Sequence, residues 1–279
     1  MPLDVVPTPL GNLRDITLRA IDTLRDCDLL LAEDSRVARK LLTALGIAGK
    51  EIWTYHEHNA AAVTARILER ARTERIALTS DAGTPGISDP GVELVAAARR
   101  SGIAVDVLPG ASALVGAAVL SGFPLDRLLF EGFPPRTSAA RREDFARVLA
   151  TGTTVVWYES PKRIRATLAD LEAVAPLARL FLVREYTKLH EQQLLGTATE
   201  IAAALADPIR GEIALVAAPA SSATPAPDPH AVDVAIDAML AAGAPVSAIA
   251  KTLADRGFGR RRHLYARATA RKSFHRDDA

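Results

Sequence analysis

Two loops constrain this chain more than any other part of it. The strand-like run Leu3 to Val6 gives way to Pro7-Thr8-Pro9-Leu10-Gly11-Asn12-Leu13-Arg14-Asp15. Ile76-Ala77-Leu78 gives way to Thr79-Ser80-Asp81-Ala82-Gly83-Thr84-Pro85-Gly86-Ile87-Ser88-Asp89-Pro90-Gly91, and a helical pattern begins at Val92. In an open parallel sheet, loops at the carboxyl ends of neighbouring strands line one crevice, and ligands bind there. Glycines let backbone approach a ligand, and prolines stiffen the loop beforehand. No Gly-x-Gly-x-x-Gly follows either strand and no Gly-Lys-Ser/Thr closes a phosphate loop, which argues against a dinucleotide or a nucleoside triphosphate as the ligand.

The surrounding sequence alternates strand and helix as a parallel α/β sheet requires. Leu29 to Ala32, Ile52 to Thr54, Ile76 to Leu78 and Val105 to Leu108 read as strands. Helical spacing of Ile16, Ala20, Ile21 and Leu24 follows Asp15 as a cap, and that of Val37, Leu41, Leu42 and Leu45 follows Ser35. Further helices cover Ala60 to Arg72 and Val92 to Arg100, and Pro109-Gly110-Ala111-Ser112-Ala113 makes a third tight turn into a small-residue helix ending near Gly122. A first domain over 1–122 is therefore expected. A second, over 123–218, has strands at Leu129-Phe130, Thr154 to Tyr158, Leu180 to Val183 and Ile213 to Ala217, and a capping box at Thr197 and Glu200. Gln193 to Gly196 lies there between two strands with no helix, which predicts a mixed sheet. A Pro/Ala/Ser linker at 219–229 leads to a helical appendage over 230–279 with a helix, a Gly257-Phe258-Gly259 turn and a basic helix opening at Arg260. That outline suits a helix-turn-helix or a packing hairpin.

With 279 residues, 49% of them hydrophobic, the chain is long enough for two cores and an appendage. No apolar run approaches a membrane span and no secretory layout opens the chain, so a cytoplasmic protein without membrane contact is expected. Cys27 is the sole cysteine and the six histidines show no metal-ligand spacing, so no metal site is expected. The formal net charge of +1 divides unevenly: the residues from Gly243 onward carry +6 and those before them −5. A basic appendage that meets a polyanion follows.

Several blocks carry a resemblance: Val6 to Leu13, Ala32-Glu33-Asp34-Ser35-Arg36, Ser80 to Pro85, Leu108-Pro109-Gly110, Phe130-Glu131-Gly132-Phe133, Tyr158-Glu159-Ser160, Arg184-Glu185 with Thr187-Lys188, and Gly211-Glu212-Ile213. In this order they resemble the ribosomal RNA small-subunit methyltransferase I family of the tetrapyrrole-methylase superfamily, departing from its pattern at Pro161-Lys162 and His263. The resemblance implies two α/β domains with a cofactor cleft between them, a homodimer, S-adenosylmethionine as cofactor, and methylation of a cytidine ribose 2′-hydroxyl in the decoding region of 16S ribosomal RNA. It places the cofactor's amino-acid part against Asp81, Gly83, Thr84, Pro85, Ile87, Ser112 and Ala113. The adenosine falls near Tyr158 and against the backbone around Ala214.

Methyl transfer to a ribose hydroxyl requires aligned reactants and an acceptor for the hydroxyl proton. Glu33, Asp34, Glu185 and Lys188 follow strand ends and are candidates for that proton, with no single base distinguished. Asn12, Arg14, Arg36, Arg163, Arg184 and, in the appendage, Arg260, Arg261 and Arg262 are candidates for holding ribosomal RNA or the small ribosomal subunit. Glu131 and Lys162 are further polar candidates. Two other readings remain open: a precorrin-type tetrapyrrole methyltransferase, and a non-catalytic helix-turn-helix regulator with a ligand-sensing body.

Overall fold

The computed structural model describes residues 2–219, 229–255, 258–259 and 261–277. The chain divides into two compact units, Met1–Ala220 and Ser221–Ala279.

The first unit opens with β1 (Leu3–Val5), α1 (Leu18–Asp26), β2 (Leu29–Ala32), α2 (Ser35–Ala44), β3 (Glu51–Thr54), α3 (Ala60–Arg70), β4 (Ile76–Thr79), α4 (Val92–Arg100), β5 (Val105–Val107) and α5 (Ala113–Ser121). Its strands form a wholly parallel sheet in the order β3-β2-β4-β1-β5. Alternate side chains divide between the two faces. Leu29, Leu31, Ile76 and Leu78 meet Ile67 of α3 and Leu94 of α4, whereas Leu30, Ala32 and Ala77 meet Leu24 of α1 and Leu42 of α2. Burial on both faces explains why β2 and β4 read as nearly unbroken apolar runs.

Two helix caps differ from expectation. Asp15 closes a short 3-10 turn over Leu13–Asp15, and Thr17 caps α1 by accepting the Ala20 N–H at 3.1 Å. Asp34, not Ser35, caps α2: it has extended backbone and accepts the Arg36 N–H at 2.8 Å, while Ser35 is already helical.

A second sheet follows, built from β6 (Leu128–Gly132), β7 (Thr154–Glu159), β8 (Leu180–Arg184), β9 (Gln192–Gly196) and β10 (Ile213–Ala217). Its order is β6-β7-β10-β8-β9; β6 and β7 are parallel and the other pairs antiparallel, so the sheet is mixed as expected. The Gln193 to Gly196 segment is itself a strand, paired along β8. One face, through Trp157, Leu182 and Leu215, packs on α6 (Ser138–Leu149), α7 (Ile164–Val174) and α8 (Ala198–Ala204), the last opened by the Thr197–Glu200 capping box. The other face packs on α5: Ala117 and Ala118 lie against Val156, Val183 and Ala214. The small residues of α5 thus serve close approach to this second sheet, although the helix precedes Gly122 in the chain.

The second unit holds α9 (Pro229–Ala241), α10 (Val246–Asp255) and α11 (Arg261–Asp277) around Ile236, Ile249, Leu253, Leu264 and Ala268. Arg267 pairs with Asp233 at 2.7 Å, and Arg271 pairs with Asp233 and Asp237, so α9 neutralises part of the basic charge of α11. Arg261 and Arg262 are exposed at its start. Most of the expected linker, 220–228, lies outside the described residues, as do Gly257 and Arg260. Among the described residues no helix is long and apolar enough to cross a membrane.

Candidate functional site

Strands β4, β1 and β5 are neighbours, and the three loops that leave their carboxyl ends are joined to one another. Thr8 and Gly83 exchange two backbone hydrogen bonds, at 2.9 and 3.0 Å, and so fasten the first loop to the second. The Thr84 hydroxyl donates to the Ala111 carbonyl at 2.8 Å, and Gly110 lies so close to Pro7 that an added Cβ would stand 2.5 Å from it. Gly83 has a φ of 85°, a backbone region that side chains with a Cβ rarely occupy. The result is a rigid rim.

This rim faces the α5 side of the second sheet across a cavity of about 300 Å³. Gly83, Thr84, Ile87, Ser112, Ala113, Tyr158 and Ala214 all line it. Pro85 is buried behind them, and Asp81 faces a second depression of about 280 Å³ shared with Thr8, Gly11, Val37 and Lys40. Strand β10 is paired on both sides along its length, so Ala214 offers the cavity its methyl group, its backbone groups being held in the sheet. Ser112 makes no side-chain cap for α5; the Tyr158 hydroxyl accepts the Leu114 N–H instead, at 2.9 Å. Burial pushes the Tyr158 phenol up to about 12, so it stays protonated. Phe130 and Phe133 meet the Tyr158 ring edge-on at 5.0 and 6.1 Å between centroids.

Asp89, Phe133, Tyr186 and Glu212 also line the cavity, and sequence reasoning assigns none of them to the site. Asp89 follows Ser88, whose φ is 63°, and its carboxyl is raised to about 7, first by burial and then by Glu33, Asp81 and Glu212. A polar residue inside a loop this rich in Pro and Gly was the available signal. Tyr186 stands between Glu185 and Thr187, both at positive φ (52° and 66°), and its ring occupies the space that Gly116 leaves vacant on α5. Strained backbone of this kind gathers at functional sites.

The acceptor-side candidates divide by what already holds them. Hydrogen bonds from the Arg36 side chain, then from its N–H, keep Asp34 far below the usual carboxylate range. Lys188 bonds Glu185 at 2.9 Å and Glu212 at 3.1 Å. Burial tends to raise Glu185, but Lys188 outweighs it and the pKa falls; burial opposes charge on Lys188, but the two carboxylates raise it. Glu33 is raised by burial and then by Asp81. Asn12 caps the 3-10 turn through the Arg14 N–H, and its own N–H donates to the Thr187 hydroxyl at 3.2 Å, so the first loop touches the β8–β9 turn. Arg14 is exposed. Arg36 is 83% exposed. Arg163 donates to the Pro134 and Pro135 carbonyls and lies 3.4 Å from Glu159, while Arg184 bonds Gln192 at 2.6 Å. Glu131 pairs with Arg147, and Lys162 is exposed. Among the described residues no group of three His, Cys, Asp or Glu side chains is arranged to hold a metal.

The model of the tetrapyrrole (corrin/porphyrin) methylases matches residues 3–202. The ribosomal RNA small subunit methyltransferase I of Halalkalibacterium halodurans is 43% identical over 216 residues, spanning 77% of this chain and 74% of the relative. That of Synechocystis is 44% identical over 222 residues, spanning 78% and 79%. Among solved structures, a cobalt precorrin-4 methyltransferase of cobalamin biosynthesis superposes with a TM-score of 0.61 at 17% identity over 78% of this chain and 94% of its own, a likeness of fold alone. Diphthine synthase does so at 0.60 and 14% over 78% and 90%. The chain is therefore a methyltransferase with the tetrapyrrole-methylase fold and belongs to the ribosomal RNA small subunit methyltransferase I family.

Proposed function

We propose that this protein uses S-adenosylmethionine to methylate the ribose 2′-hydroxyl of a cytidine in the decoding region of 16S ribosomal RNA. The observation that carries the cofactor assignment is the cavity between the rim and the second sheet. Its residues fit the donor chemically: Tyr158 and Phe133 offer flat apolar surface to an adenine, Gly83 and Thr84 allow close backbone approach, and among the described residues no cation acts on the Asp89 carboxyl. Gly83, Thr84, Ile87, Ser112 and Ala113 would hold the amino-acid part, with Asp81 and Pro85 setting the loop that carries them. When bound, the cofactor supplies a methyl group activated by its sulfonium.

The rest falls to the chain. Glu33 is the proposed acceptor of the hydroxyl proton, because Asp34 caps α2 and Glu185 is paired with Lys188, whereas the Glu33 carboxyl has its proton affinity raised. Arg36 and Arg14, both exposed, would meet RNA phosphates beside the Asp81 depression, and Arg261 and Arg262 would do so from the second unit. Arg163 and Arg184 would support the site through their bonds to the chain itself. The proposed division of labour assigns 1–122 and 123–218 to the catalytic body and 230–279 to holding RNA, in a cytoplasmic homodimer. The exposed Val115 and Val119, one turn apart on α5 at 58% and 64%, support a self-association surface, which sedimentation would test.

Purified protein, small ribosomal subunits lacking the modification and methyl-labelled S-adenosylmethionine test the reaction. The expected label resists alkaline cleavage at one cytidine, since a methylated 2′-oxygen no longer attacks its phosphate. Label on a base, on protein or on a tetrapyrrole overturns the proposal.

A further inference from the structure

Asp89 lines the cavity from a loop with little freedom. Ser88 before it holds a φ of 63°, and Gly91 after it holds 146°, where an added Cβ would stand 3.0 Å from Leu78. The charged groups that act on Asp89 come from three elements and share one sign: Glu33 after β2, Asp81 after β4 and Glu212 before β10. The cations that act on those carboxylates are themselves engaged, Arg36 beside Asp81 with Asp34, and Lys188 with Glu185 and Glu212. A partly buried carboxyl among carboxylates, with no counter-ion among the described residues, is complementary to a positive charge brought by the ligand.

We propose that Asp89 is the residue by which the cavity favours the cationic methyl donor over its demethylated product. The proposal rests on the reading that this cavity holds S-adenosylmethionine. Donor and product share an adenosine, an ammonium and a carboxylate, and they differ in the sulfonium charge. A carboxylate facing that charge is stabilised by the donor and not by the product, so the product leaves as the charge disappears. With its carboxyl raised to about 7 in the free protein, Asp89 is protonated in part at neutral pH. A cation beside it favours the ionised form, so donor binding releases a proton and tightens as pH rises.

Calorimetry of the full-length protein in two buffers of different ionisation enthalpy tests this, with three probes: S-adenosylmethionine, S-adenosylhomocysteine, and the analogue carrying an ammonium in place of the sulfonium. At pH 7 the donor and the ammonium analogue are each expected to release a measurable fraction of a proton, and the product much less. Between pH 6 and 8 donor affinity should rise while product affinity stays level. Asp89→Asn should abolish the release and the pH dependence, and should lower the ratio of donor to product affinity by about tenfold for each unit by which the bound charge lowers the Asp89 pKa. The wild-type pH series decides the matter without the variant. Equal proton release by donor and product would overturn the proposal, placing the carboxyl at the shared ammonium or away from the ligand. Failure of all three probes to bind wild type would remove the cofactor reading of the cavity along with it.

Discussion

A carboxyl whose pKa is raised by folding holds its proton more tightly in the native chain than in the unfolded one. For Asp89 the rise is from the ordinary 3.8 to about 7, so between these values the unfolded chain ionises first and stability falls as pH rises, levelling off above about 7. Asp89→Asn is therefore expected to raise the Tm of the ligand-free protein at pH 8, with the two melting curves converging near pH 4. A variant less stable than wild type at pH 8 would contradict the unpaired carboxyl. At Glu33 the expectation concerns rate. Glu33→Gln should lower the rate of methyl transfer by about 10²- to 10⁴-fold, measured by single-turnover methylation at saturating donor. Gly83→Val addresses the rim: a branched side chain at a φ of 85°, with its Cβ 3.1 Å from Leu10, should remove donor binding from a chain whose circular dichroism remains native. Unchanged donor affinity in that folded variant would place the site elsewhere.

Among the elements, α6 and α7 are joined by a buried charge cluster. Asp170 accepts from Arg141 at 2.8 Å, from Arg142 at 2.6 Å and from the Ser138 hydroxyl at 2.7 Å, and both Arg141 and Asp170 are almost wholly buried. Removing one partner leaves an uncompensated buried charge, so Asp170→Ala should cost roughly 3–5 kcal/mol in urea unfolding. Arg25→Ala, in an exposed pair with Asp22, should cost less than about 1 kcal/mol. The same cluster explains why these two helices are hard to see in the sequence: Arg and Asp at core-facing positions interrupt the apolar period. Strand β9 is obscured differently, because Leu195 points outward and erases the alternation. At α2, Asp34 and Ser35 are both competent caps, and the choice depends on where β2 releases the chain. The central strands β2 and β4, by contrast, are legible at once because both faces are buried. One side of the cavity is legible as well, since Gly83, Thr84, Ser112 and Ala113 lie on turns that follow parallel strands. Tyr186 and Glu212 are not, because they reach the cavity only through antiparallel pairing, in which the Glu185 N–H bonds the Glu212 carbonyl at 2.9 Å.

For the whole molecule, two units with separate cores predict separable functions. Removing residues 230–279 should leave donor affinity nearly intact while RNA affinity and turnover fall; loss of donor binding on truncation would count against the division. Within the second unit the arginines have different duties. Arg261→Ala and Arg262→Ala should each flatten the dependence of log affinity on log salt by about 0.7 to 0.9 for every RNA phosphate that the arginine neutralises. Arg267→Ala and Arg271→Ala, which break bonds to α9, should instead lower the stability of the three-helix unit, as measured by its melting in the full chain. The paired bonds between Thr8 and Gly83 bear on how the molecule breathes. They form a separate antiparallel bridge beyond the ends of the parallel strands β1 and β4, so the two loops open together and not as independent segments. Their amides should then exchange with deuterium on the slow timescale of the central strands, already in the ligand-free protein, while neighbouring loop amides exchange fast.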